Sequence, residues 1–164
     1  MSRWSKPPMT KRLHSAIDNF HSLAFSGESV DIPAKRAKPR QLEHIEAVSL
    51  MKWWSINHSR LGLPETALFH VANGGARDEI TGSRLKQEGV RPGVYDYMMP
   101  VAKYQYHGLF LELKAQNGRL SNEQIDFGTF LVSQRYCGVV AVGWQNAAKE
   151  ILKYMGQEQL WRGA

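Results

Sequence analysis

The segment "GLFLELKA", residues 108–115, limits the possible folds more than any other stretch of this chain. Side chains on a β-strand alternate between its two faces. One face of this strand would carry three leucines, and the other would carry Phe110, Glu112 and Lys114. The leucine face predicts packing beneath a helix. The two charged side chains would then project together from the opposite face.

The rest of the chain alternates between helix and strand patterns. The predicted order is a helix from Pro39–Gln41 to about residue 58, a strand at 66–72, a short helix at 78–89, strands at 93–99 and 108–115, a helix at 121–136, a buried strand at 138–144 and a last helix at 146–155. Such alternation predicts an α/β fold with a mixed central β-sheet flanked by helices.

The positive charge of the chain is concentrated at its N-terminus. Of a net charge of +6, residues 1–40 hold eight Lys and Arg against three acidic residues. Apolar residues within 9–25 recur at helical spacing and predict an amphipathic helix: Leu13, Ala16, Ile17, Phe20, Leu23 and Ala24. We therefore divide the chain into a basic N-terminal extension (1–39), one domain (40–157) and a C-terminal tail (158–164). A basic extension of this kind is typical of phosphate binding, and a solvated tail is the alternative.

Several classes of protein are disfavoured. No run of about 18 apolar residues predicts a membrane span, and no apolar region near the N-terminus predicts a secretory signal. Cys137 is the only cysteine, which favours a reducing cytoplasmic setting, and the six histidines are too scattered to predict a zinc site. The glycines at 74, 75 and 82 do not have the spacing of a phosphate-binding loop.

Asp96 lies on the strand that precedes Glu112 and would approach it if the two strands pair. Two close carboxylates resist joint ionisation unless a cation lies between them. Oxygen ligands on a rigid sheet suit Mg²⁺ or Mn²⁺, and a nearby Lys114 would stabilise negative charge or position a water molecule. This combination predicts metal-assisted hydrolysis of phosphodiesters.

A third acidic residue is expected from the first helix. On a helical wheel, Glu43 falls at the centre of the most apolar face, where a carboxylate is costly unless it is paired or bound to metal. Glu46 lies on the flank of the same face and is the second choice.

Each candidate also has a simpler interpretation. Glu112 and Lys114 would form a surface ion pair on an edge strand, and Asp96 would be a turn or cap residue. Gln124 would serve only in a capping box with Ser121, and Glu43 would only complement the helix dipole.

Taken in order, these segments resemble the virus-type replication-repair nuclease (VRR-NUC) domain, a branch of the PD-(D/E)xK nucleases. The resemblance runs from about residue 40 to 155. Its markers are Glu43 and the segments "HVANGGAR", "LKQEGVRPGVYD", "LFLELKAQNGRLSNEQ" and "GVVAVGWQNAAKEILKYM". Two positions depart from the family: Tyr95 stands where proline is usual, and Glu46 where many members carry glutamine.

The resemblance implies a restriction-endonuclease-like core and an endonuclease that depends on Mg²⁺ or Mn²⁺. Asp96, Glu112, Glu43 and the backbone carbonyl of Leu113 would bind the metal. Lys114 would be the catalytic lysine, and Gln124 matches a polar position of the family. His70 and Asn73 match the segment beside the site.

Small stand-alone members resemble Holliday-junction resolvases that act as homodimers on branched DNA, which suggests a phage or prophage origin. The residues expected to contact DNA are Lys35, Arg36, Lys38, Arg40, Asn73 and Arg77. A flap, nick or restriction-type endonuclease is the alternative enzyme, and a non-catalytic DNA-binding protein on the same fold is the alternative of another class.

Overall fold

The computed structural model describes residues 39–71, 84–116 and 118–161. The amphipathic helix expected at 9–25, the turn at 73–75 and the first part of the helix expected at 78–89 lie outside the described residues. The helices and strands are α1 (Pro39–Asn57), β1 (Phe69–His70), β2 (Tyr97–Met99), β3 (Leu109–Lys114), α2 (Asn122–Ser133), β4 (Cys137–Val142) and α3 (Trp144–Met155). Short 3₁₀ helices cover His58–Leu61, Glu65–Ala67 and Glu158–Leu160, and residues 84–87 are helical.

The four strands form one mixed sheet in the order β1-β2-β3-β4. β1 pairs antiparallel with β2, and β2 pairs antiparallel with β3, with Tyr97 opposite Leu111. β3 pairs parallel with β4, with Leu113 opposite Ala141. A parallel pair needs a crossover connection, which α2 supplies. The predicted α/β fold with a mixed, helix-flanked sheet is confirmed.

The two faces of β3 differ as the alternation of its side chains predicts. The leucine face packs into the main core together with residues of α1 and α3, among them Leu50, Trp54 and Ile151. The other face meets α2, where the ring of Phe110 stacks edge-on against Phe127. Helices therefore cover both faces of the sheet, and Glu112 lies beneath α2.

Glycines end two of the helices, as expected for the left-handed conformation that they tolerate. Gly62 (φ 69°) stops the helical run that follows α1, and Gly156 (φ 69°) caps α3. Beyond α3 the chain turns back, and the Trp161 ring lies 6.3 Å from that of Trp144. No helix in the described part of the chain is both long and apolar enough to cross a membrane.

Two strands are shorter than the sequence predicted by four residues or more. In place of the strand expected at 66–72, the described residues form the strand Phe69–His70, because the residues after Pro64 form a 3₁₀ helix. The strand expected at 93–99 begins only at Tyr97. Gly93 has φ 86° and lies so close to α2 that an added Cβ would be 2.5 Å from the carbonyl oxygen of Glu123. This turn delays the strand and leaves Asp96 just before it.

Candidate active site

Asp96 and Glu112 come together where the pairing of β2 and β3 ends. Tyr97 is opposite Leu111, so the next antiparallel position places Asp96 beside Glu112. The Oδ2 atom of Asp96 accepts a hydrogen bond of 3.0 Å from the backbone N–H of Leu113. This contact continues the strand pairing through a side chain and fixes the carboxylate against β3.

Glu112 is the one charged residue among the described residues that is fully buried, with 1% of its surface exposed. Its Oε1 atom lies 2.7 Å from Lys114 Nζ and also accepts a hydrogen bond from the side-chain amide of Gln124. Its Oε2 atom is buried and has no hydrogen-bond partner within the described residues. A buried carboxylate oxygen without a partner is costly, and a cation bound at this atom would offset that cost.

The pKa values of the two carboxyl groups reflect this confinement. Burial, with a further contribution from the charge of Asp96, raises the pKa of Glu112 to about 7 despite the opposing effects of Lys114 and of the Asp96 backbone N–H. Burial also raises the pKa of Asp96, against the Leu113 N–H and the charges of Lys114 and His70. Both carboxyl groups therefore resist ionisation, Asp96 because it is buried and Glu112 because it is buried beside Asp96. A bound cation relieves such a situation.

Gln124 joins the first turn of α2 to this cluster. Its side-chain oxygen accepts hydrogen bonds from the backbone N–H of Ser121 (2.9 Å) and from Lys114 Nζ (3.2 Å). Ser121 Oγ in turn accepts one from the Gln124 N–H, which completes the predicted capping box. The capping role and the contact with the cluster are therefore compatible, because the amide group of Gln124 has both an acceptor and donors.

The residues present fit a hard divalent cation. Asp96 and Glu112 supply carboxylate oxygens, which Mg²⁺ and Mn²⁺ prefer. The carbonyl of Lys114 points toward β4 and accepts a hydrogen bond from the Gly143 N–H. The backbone groups of successive residues in a strand point to opposite sides, so the N–H and C=O of Leu113 point away from β4, toward Asp96. The described residues contain no group of three His, Cys, Asp or Glu side chains placed to hold a metal ion. Such a site would therefore combine two carboxylates with a backbone carbonyl.

The acidic residues of α1 lie differently from the helical-wheel expectation. Leu50 and Trp54 are fully buried as that wheel predicts, but Glu43 is exposed because the first turns of α1 extend past the core. The cost of burying a carboxylate therefore does not apply to Glu43. Glu46 is half-buried, and its Oε2 atom accepts a hydrogen bond of 2.7 Å from the backbone N–H of Trp144. Glu46 thus caps the start of α3.

Sequence reasoning missed the role of Glu46 and the surroundings of Tyr95. Gly143 precedes α3 and has no side chain with which to cap it, which leaves the first N–H groups of α3 open to an acceptor from elsewhere in the chain. This glycine was the available signal. Tyr95 is fully buried against Phe127, and its hydroxyl group has no partner among the described residues. No sequence pattern distinguished it from an ordinary strand residue.

The remaining predicted site residues are placed as follows. His70 is exposed on β1, and its ring lies edge-on to that of Tyr97 at a distance of 5.3 Å between ring centres. The charge of His70 acts to lower the pKa of Asp96. The residues predicted to bind DNA lie outside the described part of the chain, or have their side chains outside it: Lys35, Arg36, Lys38, Arg40, Asn73 and Arg77.

The mixed sheet with helices on both faces is a restriction-endonuclease-like fold. The chain is similar to a solved structure described as a "VRR_NUC domain protein", with 25% sequence identity and a TM-score of 0.61 over 76% of this chain and 93% of that chain. No protein-family model and no curated protein matches it. The chain therefore has a VRR-NUC-like fold, and this neighbour suggests a nuclease domain.

Proposed function

We propose that this chain is a metal-dependent endonuclease that hydrolyses phosphodiester bonds in branched DNA, with the four-way junction as its substrate. The observation that carries the proposal is the buried Glu112, whose Oε2 atom has no partner in the described residues and whose Oε1 atom contacts Lys114. In a structural ion pair, both carboxylate oxygens are as a rule hydrogen-bonded or in contact with water.

The proposed cofactor is Mg²⁺ or Mn²⁺, held by Asp96, Glu112 and the carbonyl oxygen of Leu113. When bound, the cation would polarise the phosphodiester and favour ionisation of a water molecule. Glu43 remains a candidate fourth contributor. Since Glu43 is exposed at the start of α1, we propose that it acts through water or upon DNA binding.

Hydrolysis of a phosphodiester adds water across one P–O bond, so negative charge grows on the phosphoryl oxygens in the transition state. Lys114 is placed to stabilise this charge. Its ammonium group has three N–H donors, and within the described residues it contacts the Oε1 atoms of Glu112 and Gln124. Gln124 would orient both partners, since its amide group contacts Glu112 and Lys114 together.

A homodimer is the proposed working form. Symmetric cutting of the two strands of a junction requires two active sites related by a two-fold axis, which a dimer of identical chains supplies. The basic N-terminal extension would contribute sequence-independent attraction to DNA phosphates.

The test is cleavage of a labelled four-way junction beside duplex, nicked, flapped and single-stranded DNA, each with Mg²⁺, Mn²⁺ or EDTA. We expect paired, symmetric cuts in the junction that require the metal and disappear in Lys114→Ala. Metal-dependent cutting confined to flaps or nicks would keep the chemistry and refute the substrate. Tight binding of DNA without any cleavage would refute the proposed enzyme and favour a binding protein.

A further inference from the structure

α1 is apolar on two opposite faces, and only one of them is covered in the described part of the chain. Its buried face carries Leu50 and Trp54, which belong to the core. Four exposed residues follow the opposite side of the helix, and we call them the α1 stripe: Leu42, Ile45, Val48 and Ile56. On a helical wheel they fall within an arc of about 120°.

The exposure of the stripe is large. Ile56 is 72% exposed and Ile45 is 50% exposed, and the stripe supplies four of the seven large apolar residues that are exposed in the described residues. By contrast, α3 contributes none of those seven, because its apolar side chains all face the core. A surface helix normally keeps a single apolar face, so a second one indicates a partner.

We propose that the N-terminal segment 9–25 folds back as a helix and covers the α1 stripe within the same chain. This segment has the matching character, since its six apolar residues also fall within an arc of about 120° at helical spacing. Two apolar helix faces of similar width bury one another when they pack side by side. The proposal does not depend on the nuclease function.

The connection is long enough for this arrangement. Residues 26–38 link the segment to Pro39, where α1 begins, and thirteen residues span at most about 47 Å. The 19 residues of α1 measure about 28 Å, so either direction of packing is within reach. A short tether also gives an effective concentration of about 1 mM, which favours the chain's own segment over a second copy at ordinary protein concentrations.

Hydrogen exchange of the full-length protein, followed by mass spectrometry, tests this proposal. We expect amides in 9–25 to exchange at least about tenfold more slowly than an unfolded chain, with no change on hundredfold dilution of the protein. Two substitutions should remove this protection, one on each surface: Phe20→Asp on the segment and Ile45→Asp on the stripe. Protection of α2 and α3 should stay the same in both.

Each substitution has a matched control with the same added charge. Ser22→Asp lies on the polar side of the segment, and His44→Asp is at an exposed neighbour about 100° around α1 from Ile45, so neither should change the protection.

If Ile45→Asp reduced the protection of the whole domain, Ile56→Asp would replace it. Unprotected amides at 9–25 in the unmodified protein, or protection that survives both Ile45→Asp and Ile56→Asp, would overturn the proposal. Protection lost on dilution together with a dimeric mass would also overturn it, and would assign the stripe to a second copy.

Discussion

At the scale of single residues, the chemistry of the site follows from burial. Glu112 lies beneath α2 with one oxygen satisfied by Lys114 and Gln124 and the other without a partner in the described residues. Asp96 adds a second carboxylate at the same place. Burial raises the pKa of both groups, and the charge of Asp96 raises that of Glu112 further. This arrangement is destabilising by itself, and the proposed cation would offset that cost.

The first prediction concerns the pH dependence of stability without divalent cations. Since burial raises the pKa of Glu112 from 4.5 to about 7, its contribution to stability is present below pH 4.5 and is lost as the pH rises through 7. The free energy of unfolding should fall by on the order of 1–3 kcal/mol between pH 5 and 7.5, relative to Glu112→Gln. Urea denaturation at both pH values measures this difference.

Mg²⁺ and a control variant sharpen that experiment. Added Mg²⁺ should restore the stability of the unmodified protein at pH 7.5 and leave Glu112→Gln nearly unchanged, because binding to the folded state stabilises it. Glu123→Gln, at an exposed acid on α2, should retain the pH dependence. A pH dependence that persists in Glu112→Gln would contradict the assignment.

A second prediction concerns Tyr95, whose buried hydroxyl has no partner among the described residues. Tyr95→Phe removes this polar group while keeping the ring against Phe127. We expect the free energy of unfolding to rise by up to about 1 kcal/mol, since an unsatisfied buried group carries a desolvation cost. A loss of more than about 1 kcal/mol in urea denaturation would mean that the hydroxyl group is hydrogen-bonded.

At the scale of helices and strands, two helix starts organise the site. The first turn of α2 places Gln124 over Glu112 and Lys114, and its capping box fixes that turn. The start of α3 adjoins the end of β3, where Gly143 N–H donates to the Lys114 carbonyl, and Glu46 caps it from α1. A carboxylate at a helix N-terminus is stabilising, so α1 and α3 are tied together there.

The third prediction separates Glu46 from Glu43. Glu46→Ala should lower the free energy of unfolding by about 1 kcal/mol, because the Trp144 N–H loses its acceptor. Glu43→Ala should change it by less than about 0.5 kcal/mol, since Glu43 is exposed, while lowering cleavage if this residue completes the active site. Urea denaturation and DNA cleavage of both variants measure the two effects. Equal stability of the two variants would contradict the capping role of Glu46.

Local pattern predicted much of this architecture. Alternation in β3 correctly separated its leucine face from the face that carries Glu112, and Ser121 with Gln124 correctly marked the start of α2. The delayed start of β2 was not predictable, because it depends on contact between Gly93 and α2, thirty residues further along the chain. The cap on α3 by Glu46 joins residues 98 positions apart, and the exposure of Glu43 depends on where the core ends. Periodicity carries no information about either.

At the scale of the whole molecule, the acidic cluster and the excess of positive charge lie in different parts of the chain. The domain supplies the acidic cluster, whereas positive charge is concentrated before α1. The residues between the segment 9–25 and α1 include Lys35, Arg36 and Lys38, which we expect to contact DNA phosphates.

The fourth prediction tests that role. Replacing Lys35, Arg36 and Lys38 together by glutamine should weaken binding to branched and duplex DNA alike, because phosphate recognition does not depend on sequence. The logarithm of the association constant falls linearly with the logarithm of the salt concentration, and the magnitude of this negative slope should decrease by about 2–3. Each phosphate that the protein no longer neutralises decreases it by about 0.9. Fluorescence anisotropy at several salt concentrations measures it. An unchanged slope would exclude these residues from the DNA interface.

The most direct test of the central claim compares cleavage of a four-way junction by the unmodified protein, Asp96→Asn and Glu112→Gln in Mg²⁺ or Mn²⁺. Both substitutions remove a negative charge and keep the side-chain size, and Glu123→Gln applies the same change to an exposed acid outside the cluster. We expect Asp96→Asn and Glu112→Gln to lower the cleavage rate by at least about 100-fold while Glu123→Gln remains active. Cleavage that survives in both cluster variants would contradict a metal-dependent site at Asp96 and Glu112.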